Sequence, residues 1–452
     1  MASRLFPLAC ALALGTLPLA AQSVNTIPQI DTYLLPNGLK VVLMEDHSAP
    51  VAAVMVTYDV GSRNEQQGRT GFAHLFEHMM FKGSAHVKEG QHYSLLETAG
   101  SAGYNGNTTE DATNYYEPVP SNRLNLALWL EADRMRSLAI TDEKFSNQRE
   151  AVKEERRLRV DNQPYTKVLF EQVYKTIDST SCYPYSHSII GSMADLDAAQ
   201  TSDVQAFFKT YYAPNNATLV ITGDFEPAAT KQLVSRYFGD IPRADPPPPV
   251  VCDDKAAYNR GVRRERVLDT KATLPAVFKA YMIPAYDSND YPALELLGTI
   301  LGRGESSRLN RTLVRDTKLA AGTQTFVNLF GPRRGPGQFA LFAVANGGVA
   351  VDTLDARLND IVAKIAADGL SDDELKKAKN NYIADVIRED QRVMSVAQAL
   401  QRANLFLGGP EKYLNDTDRY TSVTVADVRR AAATYLRPDN SMTFIISAEA
   451  AR

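Results

Sequence analysis

The chain has 452 residues, of which 44% are hydrophobic and 23% charged, and a formal net charge of −4. This composition is typical of a folded protein of two or three domains and excludes a disordered chain. The small net charge, with no basic cluster interleaved with aromatic residues, argues against a nucleic-acid scaffold.

The N-terminal segment is typical of an export signal. Arg4 precedes an apolar run of about fifteen residues that ends at Ala21, and we assign residues 1–21 to a secretory signal peptide. An uncleaved membrane anchor is the alternative, which the short run disfavours. A cleavable signal predicts a periplasmic or secreted protein without stable membrane insertion. An oxidising compartment would let Cys182 and Cys252 pair, but two free thiols are equally compatible with the sequence.

Segments rich in β-branched residues predict strands at 30–46 and 51–62, and Pro36-Asn37-Gly38 supplies a hairpin turn within the first. Apolar spacing predicts three helices and one more strand. The helices are expected at about 70–82, 121–137 and 141–160, with Thr141 as the N-cap of the third, and the strand at 216–225.

Residues 243–261 interrupt this pattern. They contain four consecutive prolines, which cannot continue a helix or an inner strand and which favour a stiff, extended connector. We therefore expect a linker here, between an N-terminal domain at 29–242 and a C-terminal domain at 262–452.

The two halves of the chain resemble each other. The segments DVQAFFKTYYAPNNATLVI at 203–221 and DVRRAAATYLRPDNSMTFI at 427–445 share Asp, Val, Thr, Tyr, Pro, Asn and Ile at one offset, 427 − 203 = 224. This agreement predicts two copies of one α+β domain of roughly 200 residues each.

Only the first copy contains histidine. The stretch HLFEH at 74–78 has its approximate counterpart in the second copy at Gly298, Leu301 and Gly302, and all six histidines of the chain lie before residue 188. Since the second copy folds without these polar side chains, their presence in the first indicates a function.

The HLFEH stretch places two histidines and a glutamate in an otherwise apolar helix. Positions i and i+4 share a helix face, so His74 and His78 can direct ring nitrogens at one metal ion. Glu77 projects beside them and can accept a proton from a water that the metal activates. This order inverts the H-E-x-x-H zinc motif. Histidines without a metal are the alternative, but a buried pair beside a carboxylate needs partners, which a metal supplies.

A catalytic zinc normally takes three protein ligands, so a further acidic residue must come from another element. The helix at 147–159 offers three candidates, Glu150, Glu154 and Glu155. The residue pattern alone does not choose among them, because most carboxylates in so charged a helix are solvated.

A family resemblance makes that choice. HLFEHMMFKG, with Glu155 following 77 positions after His78 (155 − 78 = 77), resembles the pitrilysin zinc metallopeptidase family, the insulinase and mitochondrial processing peptidase group, in its bacterial exported form. The resemblance extends to the strand pair before the motif, the tandem domains and LGRGESSRL in the second half. It implies two tandem α+β domains, each a mainly antiparallel sheet packed with helices. It also implies one zinc ion held by His74, His78 and Glu155, with Glu77 as the general base.

A second segment, GYNGNTTEDATNYY at 103–116, resembles the family's edge strand, which pairs with an extended substrate. The resemblance implies that Asn105, Gly106 and Thr108 bind the substrate. A polar hairpin loop without such a role is the alternative.

Two positions depart from the family pattern. Gln148 stands where the family commonly has a second glutamate. The family's arginine and tyrosine pair, which binds the substrate carbonyl, should fall within 313–324, where Arg315 fits the arginine but Ala321 or Gly322 replaces the tyrosine. Loss of one oxyanion donor typically costs on the order of a hundredfold in rate.

Families with divided function suggest that this chain is the zinc-bearing subunit and that a homologous partner supplies the arginine and tyrosine. A homodimer with a different oxyanion donor is the alternative. We therefore predict an exported zinc endopeptidase that hydrolyses peptides or unfolded polypeptides. Two other hypotheses remain: a catalytically weak homologue that binds peptides or serves as a structural subunit, and a zinc hydrolase of small molecules, in which the strand at Asn105 has no role.

Overall fold

The computed structural model describes residues 29–253 and 261–448. The predicted signal peptide lies outside the described residues. Among the helices of these two ranges, none has the length and apolar content that a bilayer-spanning segment requires.

The N-terminal sheet has six strands, β1 Ile30–Leu34, β2 Lys40–Glu45, β3 Val51–Tyr58, β4 Asn105–Thr108, β5 Thr113–Pro120 and β6 Ala217–Gly223. They lie in the order β1-β2-β6-β3-β5-β4. Only β2 and β6 are parallel neighbours; the other described pairs are antiparallel. The predicted hairpin is confirmed, since β1 and β2 pair across the turn at Asn37. The short strand β4 forms one edge of the sheet.

The C-terminal sheet has five strands, β7 Arg263–Asp269, β8 Ala276–Ile283, β9 Ala320–Val327, β10 Gly337–Ala345 and β11 Ser441–Ala448. Their order is β7-β11-β8-β10-β9, with β7 and β11 parallel and the other pairs antiparallel. This order repeats that of β2-β6-β3-β5-β4, with β9 at the edge that β4 occupies in the first sheet. The predicted fold of two related α+β domains with mainly antiparallel sheets is therefore confirmed.

Helices accompany both sheets. The N-terminal half has α1 Phe72–Met79, α2 Gln91–Thr98, α3 Leu124–Ser137, α4 Asp142–Arg156, α5 Thr166–Phe170, α6 Met193–Ala198, α7 Thr201–Tyr211 and α8 Pro227–Phe238. The C-terminal half has α9 Tyr291–Gly302, α10 Val351–Asp368, α11 Asp372–Glu389, α12 Val393–Phe406, α13 Asp416–Thr421 and α14 Val425–Tyr435. Thr141 caps α4 as predicted, accepting a hydrogen bond from the Lys144 amide at 3.2 Å. The α-helical part ends earlier than expected, at a π-helical turn over Arg157–Asp161.

The repeat detected in the sequence has the same structure in both copies. Helices α7 and α14 differ in number by 224 at both ends (425 − 201 and 435 − 211). The amide of Asn216 donates to the Tyr211 carbonyl at 2.9 Å, and the amide of Asn440 donates to the Tyr435 carbonyl at 2.7 Å. The shared asparagine and tyrosine therefore make the same helix-to-strand turn twice.

Each domain covers one face of the other domain's sheet. Helix α12 of the C-terminal half packs Val396 and Leu400 against the N-terminal sheet, and residues of the N-terminal half, Val168 and Tyr174 among them, pack against the C-terminal sheet. These two covering segments are counterparts in the repeat, because α12 lies 224 positions after residues 169–182. The exchange joins the halves through apolar contacts that neither half makes alone.

The proline-rich segment contains no helix or strand in its described part, 243–253, and we propose that the domain boundary lies there. Cys252, in this segment, forms a disulfide with Cys182 of the N-terminal half. The structure thus selects pairing over the two free thiols that the sequence left open.

Candidate metal centre

Helix α1 is fixed at its start by a buried carboxylate. Glu65 accepts hydrogen bonds from the amides of Gly71 at 2.8 Å and Ala73 at 2.9 Å, which satisfies donors that a helix leaves free at its first turn. Gly71 has a φ of 91°, and a Cβ there would lie 2.9 Å from the Ile190 carbonyl oxygen. Glycine at this position therefore allows the backbone to start α1 in close contact with the backbone at Ile190.

One face of α1 is apolar and the other carries the polar motif. Phe72, Leu75, Phe76 and Met79 are buried in the core of the N-terminal domain. His74, Glu77 and His78 face the cavity between α1, α4 and β4. The helix is amphipathic in the usual sense, except that its polar face is turned into a cavity.

The structure brings Glu155 of α4 to the two histidines. Its Oε2 lies 3.5 Å from His74 Nε2 and 3.2 Å from His78 Nε2. The three side chains are largely enclosed, with exposed fractions of 12%, 27% and 18% for His74, His78 and Glu155. Glu150 and Glu154, the other candidates from the sequence, have more than half of their side chains exposed and pair with nearby basic residues, Lys153 and Arg157.

These three residues fit a zinc ion. Two imidazoles and one carboxylate are a common donor set of catalytic zinc sites. Two ligand atoms of a tetrahedral zinc lie about 3.3 Å apart, because each bond is about 2.0–2.1 Å long. The separations of 3.5 Å and 3.2 Å between Glu155 and the imidazoles agree with that spacing.

The protonation states also suit metal binding. Burial, together with the neighbouring His78, lowers the pKa of His74 to about 4, so its ring is neutral at pH 7, as a metal ligand must be. Burial opposes ionisation of Glu155, but the hydrogen bond that it accepts from His78 and its electrostatic interactions with the two imidazoles and Arg159 outweigh that effect and lower its pKa.

Glu77 has a different environment beside the same centre. Burial raises its pKa, and a hydrogen bond from the Thr108 hydroxyl at 2.7 Å opposes that shift only in part. The backbone of β4 runs close to Glu77, since a Cβ on Gly106 would lie 3.0 Å from its Cγ. Thr108 and Gly106 thus hold this carboxylate against the edge strand.

The centre opens into a cavity of about 580 Å³. The edge strand lines the cavity with Asn105, Gly106, Asn107 and Thr108, and helix α4 lines it with Gln148 and Glu155. The structure therefore brings together the motif of α1, Glu155 and all three β4 residues that the sequence proposed.

Arg315 is not part of this arrangement. It is exposed on a π-helical turn of the C-terminal half, Asn310–Asp316, and does not line the cavity. Ala321 and Gly322 lie on the edge strand β9. This chain thus does not bring the expected arginine to its own metal centre.

Comparison with known proteins places the chain in a family. Residues 40–191 match the family described as "Insulinase (Peptidase family M16)", and residues 199–382 match the "Peptidase M16 inactive domain". The chain is 30% identical over 438 residues to the zinc protease PqqE of Helicobacter pylori, with 96% of each chain covered. The chain belongs to peptidase family M16.

Two further relatives match more than nine-tenths of this chain. A probable mitochondrial-processing peptidase subunit beta of Arabidopsis thaliana is 23% identical over 91% of this chain and 77% of its own. The crystal structure of a protease from Helicobacter pylori superimposes with a TM-score of 0.87 at 27% identity, over 93% of this chain and 100% of that one. The fold and the domain pair are thus those of family M16.

Several cavity residues of this M16 protein were not expected from its sequence. Phe330 reaches the cavity from the C-terminal half and contacts Phe170, with ring centroids 5.4 Å apart. Arg159 lines the cavity and pairs with the second oxygen of Glu155 at 2.9 Å. No local sequence pattern marks Phe330. Its loop has nine residues, whereas the equivalent β4–β5 turn has four. Comparison of the two repeats could have revealed this insertion.

Proposed function

We propose that the chain is an exported zinc-dependent endopeptidase that hydrolyses peptides or unfolded polypeptides. The observation that carries this proposal is the convergence of Glu155 with His74 and His78, at separations that fit one zinc ion. This convergence supports a metal site, because side chains 77 positions apart, on α1 and α4, meet at a cavity that also contains the partly desolvated Glu77.

In the proposed hydrolysis, zinc, Glu77 and Thr108 have separate roles. Zinc, when bound, polarises the substrate carbonyl and lowers the pKa of a coordinated water. Glu77 accepts the proton of the attacking water and then delivers it to the leaving amine, which suits a carboxyl whose pKa is raised by burial. The Thr108 hydroxyl holds Glu77 in place during both transfers.

We propose that the substrate binds as an added strand beside β4. That strand lies at the edge of the sheet, where its outer backbone groups can pair with an extended peptide. Asn105, Gly106 and Thr108 then hold the peptide backbone across the centre. A small-molecule hydrolase would have no use for this edge, so the arrangement favours a peptide.

The oxyanion donor is proposed to come from a homologous partner subunit or from a second copy of the chain. Arg315 is exposed and does not line the chain's own cavity, as expected of a residue that acts in a neighbouring subunit. The pairing of Cys182 with Cys252 supports a periplasmic or secreted location, because disulfides persist in oxidising compartments.

One observation favours the alternative of a peptide-binding homologue with little catalysis. The tyrosine expected beside Arg315 is replaced by Ala321 or Gly322. The description "inactive domain" attaches to residues 199–382, a region without any of the three proposed ligands, and so does not bear on the metal centre.

Glu77→Gln tests the proposed function. We expect the purified variant to bind one zinc per chain, like the wild type, while cleavage of an unfolded polypeptide falls by about a hundredfold or more. His74→Ala should lose zinc and activity together, and His47→Ala, which removes an exposed histidine, should lose neither. Unchanged cleavage by Glu77→Gln would contradict the mechanism.

The partner proposal needs a separate assay. The chain is tested alone and after mixing with the product of an adjacent homologous gene, at equal zinc content. We expect cleavage to rise strongly on mixing, whereas full activity of the chain as an isolated monomer would overturn the partner role.

A further inference from the structure

The turn between β4 and β5, residues 109–112, is held by the opposite domain. The β9–β10 loop, residues 328–336 of the C-terminal half, places Arg333 against Glu110 of this turn in an ion pair whose side chains are 1% and 0% exposed. The Tyr174 hydroxyl donates to the same Glu110 oxygen at 2.9 Å, and the Arg333 guanidinium lies over the Tyr174 ring. A full charge from each domain is therefore buried at the domain interface.

The next residues of the loop and the turn also meet. The Arg334 amide donates to Asp111 Oδ2 at 3.1 Å, and the Tyr185 hydroxyl donates to Asp111 Oδ1 at 2.8 Å. The Arg334 side chain extends further and pairs at 2.8 Å with Asp59, the residue that follows β3. Both acidic residues of the turn are thus bound by consecutive arginines of one loop.

The ion pair between Arg333 and Glu110 is not expected to add much to the stability of the fold. Glu110 Oε2 and the Nε and Nη1 of Arg333 are buried without a hydrogen-bond partner among the described residues. Buried ion pairs recover their desolvation cost only when their remaining polar groups are satisfied, and apolar replacements of such pairs are often neutral or stabilising. What the pair does provide is a defined position for the turn.

The position of the turn matters because it directly follows Thr108. The Thr108 hydroxyl bonds Glu77, and β4 and β5 are joined by only four residues, from Thr108 to its partner Thr113. On its other side the turn accepts backbone hydrogen bonds from Ser62 and Arg63. A displacement of Glu110 therefore moves the strand that contacts Glu77.

We propose that Arg333 is a positioning residue for the metal centre: through Glu110 it fixes the β4–β5 turn, and with it Thr108, Glu77 and the substrate edge. The C-terminal domain, which supplies none of the three proposed metal ligands, thereby completes the site in the N-terminal domain. The expected effect on catalysis rests on the proposed peptidase function. The expected effect on the position of the β4–β5 turn does not.

The test uses a neutral pair of similar volume in the full chain. The double variant Glu110→Gln/Arg333→Met removes both charges and avoids the unpaired carboxylate that Arg333→Met alone would bury. The matched control is Lys279→Met/Asp355→Asn, which removes an ion pair with 6% and 4% exposure inside the C-terminal domain, where neither residue lines the cavity. Zinc content and thermal midpoint are measured for both.

Two readouts are then compared. In the Glu110/Arg333 double variant we expect the amides of 108–113 to exchange with deuterium about tenfold faster, and kcat per bound zinc to fall about tenfold. The control should change neither. Wild-type kcat per bound zinc, or unchanged exchange in this segment, would overturn the positioning role. If the wild type cleaves no peptide, the proposed function fails, and the exchange measurement alone decides the role of Arg333.

Discussion

At the scale of single residues, the two carboxylates beside the histidines have opposite environments. Burial raises the pKa of Glu77, whereas the imidazoles and Arg159 lower that of Glu155 despite its burial. When their environments shift the pKa values of two neighbouring carboxyl groups in opposite directions, the two groups are suited to different chemical roles. The lowered pKa of Glu155 supports its proposed role as a metal ligand, and the raised pKa of Glu77 supports its proposed role as the general base.

The variant Glu155→Gln tests whether Glu155, and not a neighbouring glutamate, binds the zinc. We expect the zinc dissociation constant to rise by about a hundredfold or more, because a neutral amide replaces the only anion of the proposed donor set. Competition with a chelator of known affinity measures this. Glu154→Gln is the control, since Glu154 is exposed and pairs with Arg157; equal losses in both variants would exclude a specific role of Glu155.

Gly106→Ala should reduce catalysis without removing the metal. A Cβ at this position would lie 3.0 Å from Glu77 Cγ and 3.3 Å from the Phe81 ring, so Glu77 or the strand must shift. We expect kcat to fall about tenfold at unchanged zinc content. Gly347→Ala, where a Cβ meets nothing within 4 Å, should keep wild-type kcat. Wild-type kcat in Gly106→Ala would show that the strand is not closely fitted to Glu77.

How far the sequence could predict the site depends on how local each residue's contribution is. His74, Glu77 and His78 share one helical turn, so helix geometry alone predicts their convergence. Glu155 was selected only by family resemblance, because its proximity depends on how α4 packs beside α1. Phe330 was missed altogether, since it comes from the other domain in a loop whose position no periodicity determines.

At the scale of elements, the two domains use equivalent helices differently. In the C-terminal domain α9 stands beside the edge strand β9 as α1 stands beside β4. A Cβ at Gly298 would lie 2.7 Å from Val327, and one at Gly302 would collide with Thr325. Strand β9 thus packs directly on the helix where the first domain has histidines and a cavity. The offset of 224 residues places these two glycines opposite His74 and His78.

The start of α11 offers a test of pH dependence. A hydrogen bond from Arg308 has the largest effect on the pKa of Glu374. Burial opposes this effect, but the hydrogen bonds from Arg308 and Ser371 together lower the pKa to about 2. Because this carboxyl is more acidic in the folded state, it stabilises the fold above its unfolded pKa of about 4.5 and stops doing so as pH falls toward 2.

Glu374→Gln should therefore lower stability at pH 7 by about 1 kcal/mol, with allowance for partial screening by solvent. The difference from wild type should shrink between pH 4.5 and pH 2.5. Urea unfolding monitored at each pH measures it. Asp373→Asn, at an exposed position of the same turn, should differ little from wild type, and a pH-independent loss in Glu374→Gln would contradict the electrostatic explanation.

At the scale of the whole molecule, the exchange of covering segments predicts that the domains unfold together. Leu400 of α12 is fully buried against the N-terminal sheet. Its replacement by alanine should cost about 2–5 kcal/mol and should increase amide exchange in the N-terminal strands as well as in α12. Leu414→Ala, at a side chain that is 39% exposed, is the control. Faster exchange confined to α12 would show that the domains are independent.

The fold class, the domain duplication and its register could be predicted from the sequence, because a shared offset of 224 residues is visible without a structure. The reciprocal packing could not, since it joins α12 and residues 168–174 to sheets of the other half. The same limitation applies to Arg315. The family resemblance implies a role in substrate binding, yet the fold of this chain leaves Arg315 exposed and outside the cavity.

The most direct test of this account is anomalous diffraction at the zinc absorption edge from crystals of the full chain. We predict one peak per chain, about 2.0–2.2 Å from the Nε2 atoms of His74 and His78 and from a carboxylate oxygen of Glu155. No zinc peak at this centre in zinc-loaded crystals, or a peak that Glu155 does not contact, would contradict the account.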